Sequence, residues 1–129
     1  SSEAGVAAVT TKRLGDRGEE AAALYLEKRG CRILERQFRM KTGEIDIIAE
    51  EDGTLLFIEV KTRHPTRFGT PAQAVGRTKQ RRIFRTAFLY MQKHGFVERA
   101  CRFDVIEILA MDESYAVRHY ENAFEFDGI

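Results

Sequence analysis

The chain has no window approaching the roughly 20 uninterrupted apolar residues that a membrane-spanning helix needs, which argues against a membrane protein of that kind. Cysteine occurs twice, at Cys31 and Cys101. That is too seldom for a disulfide scaffold or a four-cysteine metal site, and both lie in apolar-patterned stretches. Buried free thiols in a reducing compartment, hence a cytoplasmic location, are the expectation. The three histidines, His64, His94 and His119, have no local zinc spacing and are expected to be exposed or to support other groups. No Gly-rich phosphate loop or nucleotide fingerprint is present, and no Ser or Cys stands beside a recognisable base and orienter, so acyl transfer ranks low. Internal repeats, low-complexity tracts and domain linkers are also missing. The start, Ser1 to Gly5, carries neither an initiator Met nor a basic, apolar signal region and reads as a processed start without an export signal.

What is there fits one domain. The 129 residues are 43% hydrophobic and include nine Phe, which argues against wholesale disorder. Residues 1–11 read as a frayed tail, 12–120 as a single domain, and the acidic, aromatic segment 121–129 as either an ordered edge or a tail. Net charge is only +1, but it is unevenly distributed. Residues 61–97 hold nine Lys or Arg and no acid, while the other 92 residues hold 12 basic and 20 acidic groups. Such a segment can neutralise phosphates even in a nearly neutral chain. A merely solvated basic helix face would look the same.

The spacing of Leu14, Ala21, Ala22, Tyr25 and Leu26 predicts an amphipathic helix from Lys12 to Gly30, with Thr10 or Thr11 as a cap. Residues 31–38 read as an edge strand, with Cys31, Ile33, Leu34 and Phe38 toward the core, and Met40 to Gly43 as a turn. Glu44–Glu50 and Leu55–Lys61, joined by Asp52-Gly53, form the clearest hairpin. A two-residue loop makes the numbers of opposed residues sum to 105, so that Asp46 faces Glu59 and Glu44 faces Lys61. All four then share one sheet face with Ile48 and Phe57, and Ile45, Ile47, Ile58 and Val60 take the other. A second helix is expected from Thr70-Pro71 to about Lys93, with Val75, Ile83, Phe84, Ala87, Phe88 and Met91 as its apolar stripe and Gly76 as a weak point. Strands at Arg102–Leu109 and Tyr115–His119 complete the pattern.

Two opposed carboxylates in an apolar strand pair are costly unless a cation compensates them. Asp46 and Glu59 supply hard oxygen ligands suited to Mg²⁺ or Mn²⁺, which can complete its shell with water and substrate phosphate. Lys61, two residues on from Glu59, can orient or deprotonate an attacking water or stabilise charge on a phosphate. Glu44 pairs with Lys61 or joins the outer surroundings of the metal. An ordinary hairpin with a cross-strand ion pair is the bland alternative.

Gly43-Glu44-Ile45-Asp46, followed by Glu59-Val60-Lys61-Thr62-Arg63, resembles the Asp…Glu-x-Lys core of the restriction-endonuclease-like nucleases. With Gly15-Asp16-Arg17-Gly18-Glu19, Phe68-Gly69, Lys79 and Arg102-Phe103-Asp104, the chain from Leu14 to Leu109 resembles the YraN family, which is similar to archaeal Holliday-junction resolvases. The resemblance implies an α/β fold with a central mixed β-sheet flanked by helices. It also implies a metal-dependent endonuclease for DNA, branched DNA included. Asp46 and Glu59 become metal ligands, Lys61 the catalytic lysine, Glu19 an additional helix-borne acid and Glu44 a neighbouring one. Ile45 stands where the superfamily often has Pro, a departure that removes no ligand. Glycines at 15 and 18 fit a close helix approach. Arg63, Arg77, Lys79, Arg81 and Arg82 are candidates for backbone contacts, though they cannot share one helix face. Two symmetric cuts would call for a homodimer. A nucleic-acid-binding or repair accessory module with little or no cleavage is the runner-up, and a protein-interaction domain a third reading.

Overall fold

The computed structural model describes residues 14–63, 75–111 and 113–126. Helix α1 (Leu14–Arg29) leads to strands β1 (Arg32–Met40), β2 (Gly43–Glu51) and β3 (Thr54–Arg63), then to helix α2 (Arg77–His94), β4 (Cys101–Ala110) and β5 (Tyr115–Phe124). The strands form one sheet in the order β1-β2-β3-β4-β5. Only the β3–β4 pair is parallel. This is the expected α/β arrangement, a mixed sheet flanked by helices. A parallel pair cannot be joined by a tight turn, so the crossover containing α2 returns the chain to the start of β4.

Each face of the sheet carries its own core. Ala21, Ala22, Tyr25 and Leu26 of α1 pack on Ile47, Ile58, Ile106 and Ile108, whereas Ile83, Phe84, Ala87 and Tyr90 of α2 pack on Ile48, Phe57, Phe103 and Val105. β3, buried between β2 and β4, reads as the continuous apolar run Leu55–Ile58, as a strand covered on both sides should. Phe103 anchors the α2 side, stacked on Phe57 at 5.4 Å and meeting Phe84 edge-on at 4.8 Å. No described helix is long and apolar enough to cross a membrane.

The structure corrects several expectations. α2 begins at Arg77, because Gly76 is extended and acts as its N-cap; the Thr70-Pro71 cap lies outside the described residues. Its buried stripe is turned toward Tyr90, which leaves Phe88 51% exposed. β5 continues past His119 to Phe124, carried through a register shift opposite Phe103–Val105 with Asn122 at a φ of 54°. Cys31 is buried, but Cys101, the first residue of β4, is exposed.

His119 is also more enclosed than its isolation in sequence implied. Its side chain is 1% exposed, and Nε2 lies 2.7 Å from Asp104 Oδ2. The Arg29 N–H can only donate, so Nδ1, 3.1 Å away, accepts; the Tyr25 hydroxyl also approaches it at 2.8 Å, and Nε2–H donates to Asp104. Asp104 accepts further bonds from Arg102 Nε and from the Asn122 N–H at 2.8 Å. Arg29 continues the network to Glu51 and Glu121. The C-terminal end of α1 is thereby tied to β2, β4 and β5. The bonds from His119, Arg102 and Asn122 outweigh the cost of burial and hold the Asp104 carboxyl below its ordinary range.

At its other end α1 approaches β3 through Gly18, where a Cβ would collide with Thr62 Oγ1. Gly18→Ala is therefore expected to lower stability by about 1–3 kcal/mol. Calorimetry should show most of that loss recovered in Gly18→Ala/Thr62→Ala; no recovery would place the strain elsewhere. Asp104→Asn should cost about 3–5 kcal/mol near neutrality, because it breaks a buried pair. The depressed carboxyl contributes stability in full above the titration range of an unfolded Asp and loses it as pH falls through the lower folded value. Denaturant titrations from neutral to acid pH should accordingly show a shallower acid decline in the variant; an equally steep one would contradict the assignment.

Candidate active site

The β2–β3 ladder follows the expected register from Glu51↔Thr54 to Ile47↔Ile58. It then stops, one step before Asp46 and Glu59 would pair. The Asp46 side chain instead turns into the strand pair, and its Oδ2 accepts the Val60 N–H at 2.8 Å. Ile45 packs with the α2 core while Ile47 packs with the α1 core, so the alternation of faces breaks around Asp46 and the expectation that Ile45 shares a face with Ile47 is overturned. The facing part of β1 is irregular too. Arg36↔Ile47 and Phe38↔Ile45 flank Gln37, whose φ is 53°. Glu44 does not oppose Lys61 but pairs with Arg39 across β1–β2 at 3.0 Å.

Asp46 and Glu59 remain electrostatically coupled. Burial pushes both carboxyls above their ordinary ranges; Glu59 is raised further by Asp46, and Asp46 by Glu19 and Glu44. Lys79 of α2 answers part of this repulsion, with Nζ 2.8 Å from Glu59 Oε1. Glu59 is only 3% exposed, and its Oε2 has no hydrogen-bond partner. Burial, followed by the charge of Lys79, lowers the affinity of Lys61 for its proton. For Lys79 the cost of burial is outweighed by the Glu59 bond and the surrounding acids, so its proton is held more tightly.

Glu19 lies close enough to influence Asp46, although its carboxylate bonds Arg36 and Gln37 on β1. The Gly18 approach to Thr62 brings this part of α1 to the end of β3. Among the basic candidates, Lys79 and Arg82 line a cleft of about 580 Å³ with Arg39, Gly43 and Glu44. Arg63 continues β3 two residues beyond Lys61, and Arg77 sits in the first turn of α2. Arg81 departs from the group, lining an apolar groove of about 530 Å³ with Phe84, Arg85 and Phe88. That groove is the more apolar and its lining carries no carboxylate; the cleft meets the carboxylate pair through Lys79, which lines it and bonds Glu59, while Asp46 and Glu59 are not among its lining residues.

Among the described residues no set of three or more His, Cys, Asp and Glu side chains is assembled to hold a metal. Asp46 and Glu59 nevertheless fit a hard cation that takes one or two protein carboxylates and fills the rest of its shell with water and phosphate. The orphaned Glu59 Oε2 is the observation in favour. Sequence reasoning missed Glu107, fully buried on β4 directly beside Lys61. Its one signal was an acid inside the apolar run Val105–Leu109.

A model of the uncharacterised protein family UPF0102 matches residues 18–108. The chain belongs to this family. A UPF0102 protein of Symbiobacterium thermophilum is 46% identical over 115 residues, covering 88% of this chain and 98% of that protein. One from Geobacter sulfurreducens is 44% identical over 115 residues, with 88% and 90% covered. Among solved structures, Pyrococcus furiosus SfsA in complex with Ca²⁺ aligns over 92% of this UPF0102 chain and 66% of that chain, at 13% identity and a TM-score of 0.34.

The raised carboxyls give the UPF0102 site a pH signature. Groups whose folded pKa is raised stabilise the fold while protonated, and that contribution is lost as pH climbs through the raised values. A cation binding the ionised pair should restore it, so Mn²⁺ is expected to raise Tm more on the alkaline side of the raised carboxyl values than in acid below them. Asp46→Asn/Glu59→Gln should abolish this difference in calorimetry, and an Mn²⁺ shift independent of pH in the unaltered protein would argue against the pair.

Proposed function

We propose that this protein is a Mg²⁺- or Mn²⁺-dependent endonuclease hydrolysing phosphodiester bonds of DNA, with branched DNA its substrate class. The observation that carries this reading is the coupled pair of the buried Glu59 and the half-buried Asp46, with Glu59 Oε2 unsatisfied and Lys61 on the same strand. Such an arrangement is expensive for stability alone and suited to metal-assisted attack of water. Asp46 and Glu59 would hold the ion, which when bound polarises a phosphate oxygen and acidifies water. Lys61, whose proton is held less tightly than usual, would orient the attacking water through its ammonium, and would accept that water's proton only from its neutral, deprotonated form. Glu19 acts through its charge on Asp46. Lys79 and Arg82, on the cleft wall, meet the DNA backbone and draw a polyanion toward the carboxylates. The likeness of the motifs to junction resolvases supports the branched substrate, and two symmetric cuts would call for two copies of the chain.

One observation favours a second reading. Lys79 already neutralises Glu59 without a metal, as expected of a nuclease-like module that binds nucleic acid and scarcely cleaves it. Cleavage of labelled four-way-junction, flap, single-stranded and duplex DNA with Mg²⁺ or Mn²⁺, and with EDTA as control, separates the two. Metal-dependent products are expected. Lys61→Ala should reduce turnover by roughly 10²–10³-fold while sparing most of the metal affinity. Asp46→Asn or Glu59→Gln should remove both cleavage and metal binding. Binding without products across all substrates and metals would establish the accessory reading instead.

A further inference from the structure

One row of the sheet beyond the carboxylate pair is unexplained by the site described above. Lys61 on β3 stands beside Glu107 on β4, which stands beside Arg118 on β5. Alternation puts Lys61, Arg63, Glu107 and Arg118 on the α2 face of the sheet, together with Glu59. The Glu107 side chain is 0% exposed; Arg63 Nε lies 3.1 Å from its Oε2 and Arg118 Nη1 3.8 Å from its Oε1. Neither carboxylate oxygen is aligned for a hydrogen bond. The guanidiniums thus sit beside the carboxylate without docking on it fork to fork.

We propose that Arg63 and Arg118, held side by side by the buried Glu107, form a clamp for the DNA phosphate next to the one at Asp46 and Glu59. This inference rests on the nuclease reading. A buried carboxylate shared by two arginines overcomes the repulsion that would otherwise part them. Each guanidinium carries five N–H donors in a planar fork matched to phosphate oxygens, so one acid can orient an arginine that also binds a phosphate. The position fits a neighbouring phosphate. At about 3.3 Å per residue, Arg63 lies roughly 6.5 Å along β3 from Lys61, comparable to the spacing of successive phosphates on one strand. Arg118 is 42% exposed, so a polyanion can reach it, whereas Glu107 beneath cannot confront that polyanion directly. The basic segment 61–97 does not include Arg118, so the clamp joins residues distant in sequence.

Fluorescence anisotropy in EDTA, which prevents cleavage, tests the clamp with labelled junction and duplex DNA over a range of NaCl concentrations. Arg118→Ala should weaken binding about three- to tenfold and reduce the salt slope by about one. Arg118→Lys should keep the slope yet bind less tightly, since it retains charge without the fork. Glu107→Gln gives the sharpest sign. Diffuse electrostatics predicts tighter binding when a negative charge is removed, whereas loss of positioning predicts weaker binding. Arg85→Ala, which removes a charge from the apolar groove, controls for net charge, and circular dichroism checks that each variant is folded. Unaltered protein that binds DNA, with Arg118→Ala matching it in affinity and slope, would overturn the clamp alone. Tighter binding by folded Glu107→Gln would do the same. Failure of the unaltered protein to bind any DNA would overturn the nuclease reading and the clamp with it.

Discussion

The bond from the Val60 N–H to the Asp46 carboxylate is the constraint around which the rest of the site is arranged. A backbone donor on the central strand must be satisfied, and here the acceptor is a side chain of β2. The ladder consequently ends at Ile47↔Ile58, and Asp46 is held inside the sheet with its charge close to Glu59. Lys79 can reach Glu59 because α2 packs over this end of β2 and β3. The glycine contact of α1 with Thr62 sets the opposite side and brings Glu19 within electrostatic range of Asp46.

Asp104 shows how the same device serves a different end. Like the half-buried Asp46, the fully buried Asp104 accepts an N–H from the next strand where pairing is irregular, here that of Asn122. Arg102 and His119 complete its surroundings, and its carboxyl is held low. Asp46 receives the Val60 N–H but is surrounded by the charges of Glu19, Glu44 and Glu59, and its carboxyl is held high. The first environment favours a fixed anion that secures α1, β4 and β5. The second leaves two carboxylates crowded together at the end of the sheet, with Lys79 relieving only part of their repulsion.

The carboxylates and the cations around them form one layered charge system. Glu59 is matched by Lys79, and Glu107 by Arg63 and Arg118, so buried negative charge repeatedly places positive charge nearer the surface. The apolar groove on the other flank of α2, lined by Phe84, Phe88 and Arg81, has no such layering.

Local patterning determined a great deal of this protein. Helical spacing in α1, the Asp52-Gly53 hairpin and its register, and the apolar run of β3 were all legible because each depends on neighbours a few residues apart. Asp46, Glu59 and Lys61 stood out for a related reason: acids and a lysine are conspicuous in strands otherwise built of Ile, Leu and Val. Local reasoning ended where alternation failed. Nothing in Glu44-Ile45-Asp46 announces that the Asp46 side chain would take the Val60 N–H and move Ile45 to the other core. The pairing of Glu44 with Arg39, the burial of His119 and the role of Lys79 against Glu59 are likewise consequences of strand order and helix placement. Glu107 is the clearest case, since its meaning comes from Arg63 and Arg118, distant in sequence and adjacent only through the β3–β4–β5 rows. Sequence determined which charges this protein would have to bury; tertiary structure alone decided which of them were neutralised and which, like Glu59 Oε2, were left without a hydrogen-bond partner, because screening and desolvation depend on distance and exposure.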